Sequence, residues 1–118
     1  MKWRIDTRVN EYKVVVLPLA EKDILSNTDY IFYEKSSSDT AIRLIKGFRK
    51  AIEELSFMPE QHEYDEDIEL TSFKIRKKIF KRYKIYFYVD NEQRKVFVLR
   101  VLHMLVDAKP LLLKTNFL

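Results

Sequence analysis

A chain of 118 residues, 47% hydrophobic and 34% charged, has the size and composition of one globular domain with a modest core. It has no cysteine, which excludes disulfides, thiol catalysis and thiolate metal sites, and its two histidines, His62 and His103, are too few for a histidine-rich metal centre. No metal and no cofactor is therefore expected. The net charge of +4 is unevenly placed. Glu60, Glu63, Asp65, Glu66, Asp67 and Glu69 form an acidic run, and Lys74, Arg76, Lys77, Lys78, Lys81, Arg82 and Lys84 follow it. Such a basic cluster suits an anionic partner, but the two runs can equally be solvated faces that neutralise one another. No apolar stretch is long enough for a membrane span, and the first residues lack the apolar segment of a secretion signal, so a cytoplasmic protein is expected.

In chain order, Trp3, Ile5 and Val9 alternate with charged residues, which reads either as a short edge strand or as a frayed extension over residues 1–11. Tyr12 to Leu17 contains a valine run that favours a strand. Pro18 ends it and suits the first positions of a helix. From Leu19 to about Lys35, Ala20, Ile24, Thr28 and Ile31 recur at helical spacing, with Glu21 and Asp23 near the start, where acids complement the helix dipole. Ser36-Ser37-Ser38 breaks the helix and offers N-cap hydroxyls to the next. Asp39 to about Ser56 places Ala41, Leu44, Ile45, Phe48, Ile52 and Leu55 in one apolar stripe. Gly47 inside it costs roughly 1 kcal/mol in helix propensity, for which close packing is one reason. Pro59 closes the helical section.

The acidic run reads as a surface loop, with a short strand expected around Leu70 to Ile75. From Tyr83 to Val89 the chain alternates, Tyr83, Ile85, Phe87 and Val89 on one face and Lys84, Tyr86 and Tyr88 on the other. Asp90-Asn91-Glu92-Gln93 supplies turn chemistry, and Val96 to Leu102 reads as the returning strand of an antiparallel hairpin. Ala108 to Leu113 adds a helical turn or packs back on the sheet. The predicted fold is α+β, in the order β-α-α-β-β-β, with a two-helix hairpin on one face of a mostly antiparallel sheet.

That order, with these residues, resembles the RelE/ParE family of type II toxin–antitoxin toxins, also called plasmid stabilisation proteins. The resemblance covers about Tyr12 to Leu112. It rests on Tyr12-Lys13-Val14-Val15 leading to Ala20 and Asp23-Ile24, on Tyr30-Ile31, and on Ala51-Ile52-Glu53-Glu54-Leu55 with Met58-Pro59. Ile75-Arg76-Lys77 with Tyr83, and Arg100-Val101-Leu102-His103 with Asp107, complete it. It implies one toxin domain over residues 12–112, flanked by the extension 1–11 and a tail 113–118. It further implies growth inhibition, neutralisation by a cognate antitoxin, and contact with operator DNA only through that antitoxin. One branch of the family cleaves mRNA on the ribosome; the ParE-like branch poisons DNA gyrase. Many members carry an arginine before the C-terminal aspartate where this chain has Val106-Asp107, which turns the expectation towards the gyrase branch. A non-toxic nucleic-acid-binding module, or a remnant with the fold kept, are the alternatives.

RNA cleavage by a 2′-hydroxyl needs a base, a cation on the phosphate and an acid for the leaving oxygen. His103 titrates in the right range. Arg76 and Arg100 suit a bidentate phosphate grip, so Arg76, Arg100 and His103 are the catalytic candidates if the chain is a ribonuclease. Lys77, Lys78, Lys84, Tyr86 and Tyr88 are the candidates for nucleic-acid or target binding, the tyrosines by stacking or by receiving the antitoxin. Each has a structural reading too: a strand-end histidine is commonly a packed residue, Tyr83 shares the parity of Ile85 and Phe87, and His62 reads as a loop residue without a role. Strict alternation puts Arg100 and His103 on opposite faces, so they meet only if a bulge reorients one.

Overall fold

The computed structural model describes residues 11–34 and 37–114; the extension expected over residues 1–11, save Glu11, and the last four residues of the tail expected over 113–118 lie outside them. Strand β1 (Lys13–Val16) leads through Pro18 into helix α1 (Pro18–Glu34), and helix α2 (Ser38–Glu53) returns antiparallel to it. Ser37 caps α2, its Oγ accepting the Thr40 N–H at 3.3 Å, which satisfies one orphan donor of the first turn. Short 3₁₀ turns at Glu54–Ser56 and Pro59–Gln61 follow, then helix α3 (Ile68–Ser72), strands β2 (Arg76–Phe80), β3 (Tyr83–Asp90) and β4 (Lys95–His103), and helix α4 (Ala108–Lys114). The sheet order is β1-β4-β3-β2; β1 runs parallel to β4 and the other pairs are antiparallel. The expected α+β order is observed.

The two faces of the sheet are buried against different layers. The helix hairpin brings Ala20, Ile24, Leu44, Phe48, Ala51, Ile52 and Leu55 onto Ile85, Phe87, Val96, Val98 and Val101. On the opposite face α3 and α4 bring Leu70, Ala108 and Leu112 onto Tyr86, Leu99 and Leu102, with Tyr88 and Phe97 at the margin. A register shift joins the two layers. Tyr86 pairs with Arg100 but Phe87 with Val98, leaving Leu99 as the extra residue of a β-bulge.

The strand expected around Leu70 to Ile75 is instead helix α3 and its exit turn. Asp67 caps that helix, its side chain accepting the N–H groups of Glu69 at 2.9 Å and Leu70 at 3.2 Å. Lys74, at φ 60°, reverses the chain so that Leu70 and Ile75 both enter the second core. The acidic run likewise is not simply a surface loop: Asp65 is buried, and the stretch contains a 3₁₀ turn and the start of α3. Strand β2 begins at Arg76, where charge masks the alternation of Arg76, Lys78 and Phe80 in the sequence.

Gly47 has a specific neighbour. A Cβ built there would overlap the Phe80 ring tip, so the glycine lets α2 lie directly on the end of β2. Phe80 in turn packs on Phe48, ring centroids 5.2 Å apart. Gly47→Ala is therefore expected to lower stability by about 1–3 kcal/mol through overpacking, although alanine is the better helix former by about 1 kcal/mol. Urea unfolding measures the sign; a stabilised variant would show that Phe80 moves aside freely.

Candidate functional site

Past the bulge at Leu99, Arg100 stands opposite Tyr86 of the second core, one step before Val101 opposite Ile85 of the first, and its guanidinium reaches Asp23 of α1. There its Nε donates to Asp23 Oδ2 at 2.7 Å and its Nη2 to Oδ1 at 2.8 Å, while the Val101 N–H donates to Oδ2 at 2.9 Å. Both side chains are nearly withdrawn from solvent, at 13% and 12% exposure, and the Asp23 hydrogen bond holds the Arg100 pKa above its ordinary value. Three residues on from Arg100, His103 ends β4 opposite Tyr83, the rings edge to face at 5.4 Å, and its Nδ1 accepts the Leu105 N–H at 3.1 Å. From Arg100 to His103 the pairing with Tyr86 to Tyr83 is regular, so the two residues stand on opposite faces of β4, as strict alternation has it, and the bulge lies before both.

Arg76 lies elsewhere. It pairs with Phe87, four residues along β3 from the Tyr83–His103 row, roughly 13 Å at the rise of a strand. Its Nη1 donates to the carbonyls of His62 at 2.6 Å and Glu60 at 3.2 Å, its Nη2 lies 3.8 Å from the Glu60 carboxylate, and its guanidinium stacks 4.1 Å from the Tyr64 ring centroid. The residue ties the loop over the edge of β2. His62, held by that loop, sets its ring edge-on to Phe87 at 5.7 Å. Burial, then the charges of Lys78 and Arg76, lower its pKa.

The lysines of β2 are held by acids as well. Lys77 lies 2.9 Å from Glu66 and 3.7 Å from Asp65; burial opposes its charge, but the two acids outweigh it and raise the pKa. Lys78 donates to Glu54 at 2.7 Å and to the Ala51 carbonyl at 2.8 Å, near the end of α2, where a cation also complements the dipole. Lys84 is half-buried. Tyr86 is 3% exposed beneath α3 and α4, and burial, reinforced by Asp65, Glu66 and Asp107, pushes its phenol up to about 12. It reaches a macromolecule only if the layer above it leaves. Tyr88, half-buried, lines a polar cleft with Glu60, Tyr64, Lys74, Arg76 and Asn91. Among the described residues no group of histidine and acidic side chains could hold a metal ion.

A profile of the family described as the ParE toxin of type II toxin–antitoxin systems, parDE, matches residues 14–107. The chain belongs to this family. No curated protein matches it significantly. Among solved structures it is similar to a chain of the RelBE2 toxin–antitoxin complex from Mycobacterium tuberculosis, at 19% identity and a TM-score of 0.59, over 79% of this chain and 98% of that one. It is also similar to a chain of the chromosomal ParDE system from P. aeruginosa, at 13% identity and a TM-score of 0.64, over 80% and 97%. The protein is a type II toxin with the RelE/ParE fold.

In this toxin the catalytic candidates do not converge on one point. Arg100 and His103 stand on opposite faces of β4, and Arg76 sits two strands away. Two features escaped the sequence reading. Asp23 is the acceptor that fixes Arg100, and a carboxylate one turn into α1 gave no sign of a partner on a strand 77 residues later. A second set of cations lies on α2, at Arg43, Lys46 and Lys50; their spacing of three and four residues is legible as one helix face.

Arg100→Ala or Asp23→Ala is expected to cost about 3 kcal/mol each, because removing one partner strands the other charge. The double variant should lose clearly less than the sum in a mutant cycle read by urea denaturation; strict additivity would mean that the pair contributes nothing jointly. Arg100→Lys should not rescue, since a lysine cannot make the two-pronged bond. His62 gives a pH dependence. Its folded pKa is depressed from 6.5, so the neutral ring is favoured in the folded state. Its stabilising contribution is complete above pH 6.5 and declines as pH falls below it, when the unfolded chain takes up the proton first. His62→Gln should flatten the stability–pH curve just below pH 6.5 relative to the parent protein; an unchanged slope there would remove His62 as its source.

Proposed function

We propose that this toxin inhibits bacterial growth in the cytoplasm by a ParE-like action on DNA gyrase, and that it is held inactive by a cognate antitoxin. The neighbours in toxin–antitoxin complexes support the antitoxin partner, and contact with operator DNA then runs through that partner. Such a module would stabilise a plasmid or chromosomal locus that carries it. One observation carries the choice of target. Both guanidinium groups that a ribonuclease would direct at phosphate are engaged inside the fold, Arg100 with the Asp23 carboxylate and Arg76 with two carbonyls and the Tyr64 ring. Releasing Arg100 would leave Asp23 buried without its partner, a penalty that phosphate binding would have to exceed. A gyrase poison needs a shaped surface and no free base–acid–cation set.

The ribonuclease reading has one observation in its favour, the half-buried imidazole of His103 at the end of β4, three residues from Arg100. Purified toxin with gyrase and plasmid DNA separates the two. Loss of supercoiling with accumulation of cleaved DNA, while a cell-free translation reaction proceeds, is the expected result. Ribosome-dependent cleavage of messages, abolished by His103→Ala and accompanied by normal gyrase activity, would replace it with the ribonuclease. Co-expression with the neighbouring antitoxin gene should restore growth in either case.

A further inference from the structure

Two sets of cations in the chain contrast. Arg49, Arg76, Lys77, Lys78, Arg100 and Lys109 each form an ion pair. Arg43, Lys46 and Lys50 on α2, and Lys81 and Arg82 in the β2–β3 turn, are exposed and form no ion pair among the described residues. Among the described residues Arg43 reaches only the Thr40 hydroxyl, at 3.5 Å. The acids on this side are Asp39 at the start of α2 and Glu53 and Glu54 near its end, and Glu54 is already bonded to Lys78.

The fold brings these five cations to one surface. Strand β2 runs antiparallel along α2: Lys78 bonds the Ala51 carbonyl, and Phe80 meets Gly47. Two strand residues advance about 6.6 Å and four helix residues about 6 Å, so the elements stay in step, and Lys81-Arg82 comes level with Arg43. Around the helix, Arg43 and Lys50 flank the glycine that receives Phe80, with Lys46 beside them. From Arg43 to Lys50 the cations form a line about 10 Å long, the axial span of about three phosphates on one strand of a duplex. Lys81 also holds a left-handed conformation, φ 53°, at a backbone cost of about 1–2 kcal/mol that glycine would avoid. A cation occupies the position instead.

Single-stranded nucleic acid is held by basic grooves that also offer exposed aromatic rings for stacking. The large apolar side chains exposed here are Ile42 and Ile79, and the Phe80 ring lies against Gly47 and Phe48. We propose that this chain binds the phosphate backbone of duplex DNA, without reading bases, through Arg43, Lys46, Lys50, Lys81 and Arg82. The inference is independent of the gyrase reading: the contact is a property of the isolated toxin.

The test is fluorescence anisotropy of a labelled 20-base-pair duplex of arbitrary sequence, titrated with the full toxin at several salt concentrations. About five phosphate contacts predict a slope of log K against log salt near −4.5. Arg43→Gln/Lys81→Gln, and separately Lys46→Gln/Arg82→Gln, should each reduce the slope by about 2 and so weaken binding by roughly 60-fold at 100 mM salt. Lys109→Gln, which removes an exposed but ion-paired cation, should change neither. All these side chains are exposed, so circular dichroism should be unaltered. Absence of duplex binding at 50 mM salt, full retention of slope in both double variants, or equal loss in Lys109→Gln would overturn the proposal. Tighter binding of single-stranded RNA of the same length would overturn the duplex assignment.

Discussion

The carboxylate of Asp23 fixes the geometry on which the rest of this toxin depends. It sits in the second turn of the first helix and receives three hydrogen bonds from the central strand, two from Arg100 and one from the Val101 backbone. Those bonds are available because a β-bulge at Leu99 inserts one residue opposite Tyr86 and Phe87. The bulge changes the side on which β4 presents its residues: Val98 and Val101 enter the helix-facing core, and Leu99 and Leu102 the other. With a regular strand, Val101 and His103 would exchange faces with Leu102, and both cores would lose their complement. The ion pair is thus a registration device as much as a source of stability, in keeping with the near balance of Coulomb gain and desolvation for buried pairs.

A second organising feature is the reciprocal use of the acidic and basic runs. The segment from Glu60 to Glu66 crosses the outer edge of β2, with backbone bonds from the Asp65 N–H to the Ile75 carbonyl and from the Lys77 N–H to the Glu63 carbonyl. Side-chain pairs then join Arg76 to Glu60 and Lys77 to Asp65 and Glu66. The loop covers an edge that would otherwise be open to another strand, and it neutralises cations that sequence alone presents as a binding patch. A cluster of unpaired positive charge lies instead on α2 and the β2–β3 turn. A free basic run and a buried ionic seam have the same sequence; only the path of the acidic segment separates them.

These constraints give the proposed activity its physical form. The toxin has a rigid sheet whose guanidinium groups are held internally, a helix hairpin with an exposed outer face, and a cationic line along the junction of α2 with β2. That architecture suits capture of a large partner through shape and charge better than it suits acid–base chemistry at one atom. The long side chains in left-handed backbone at Met58, Lys74, Lys81 and Arg94 belong to the same economy of glycine: the single glycine of the chain serves the α2–β2 contact, and the tight turns are built without one.

The sequence by itself determined the helix hairpin, its capping at Ser37, the β3–β4 hairpin and hence the family, because helical and strand periods in apolar residues are local and survive any tertiary context. Tyr83 was legible as a partly buried residue for the same reason. The short helix at Ile68–Ser72, the strand at Arg76–Phe80, the burial of Tyr86 and the bonding of Arg100 to Asp23 were decided by tertiary structure alone. The strand is masked by charges whose partners come from another loop, Tyr86 is covered by helices distant in sequence, and Arg100 finds its acceptor 77 residues earlier in the chain. Periodicity records which residues avoid water, and it carries no record of which distant group will neutralise a charge.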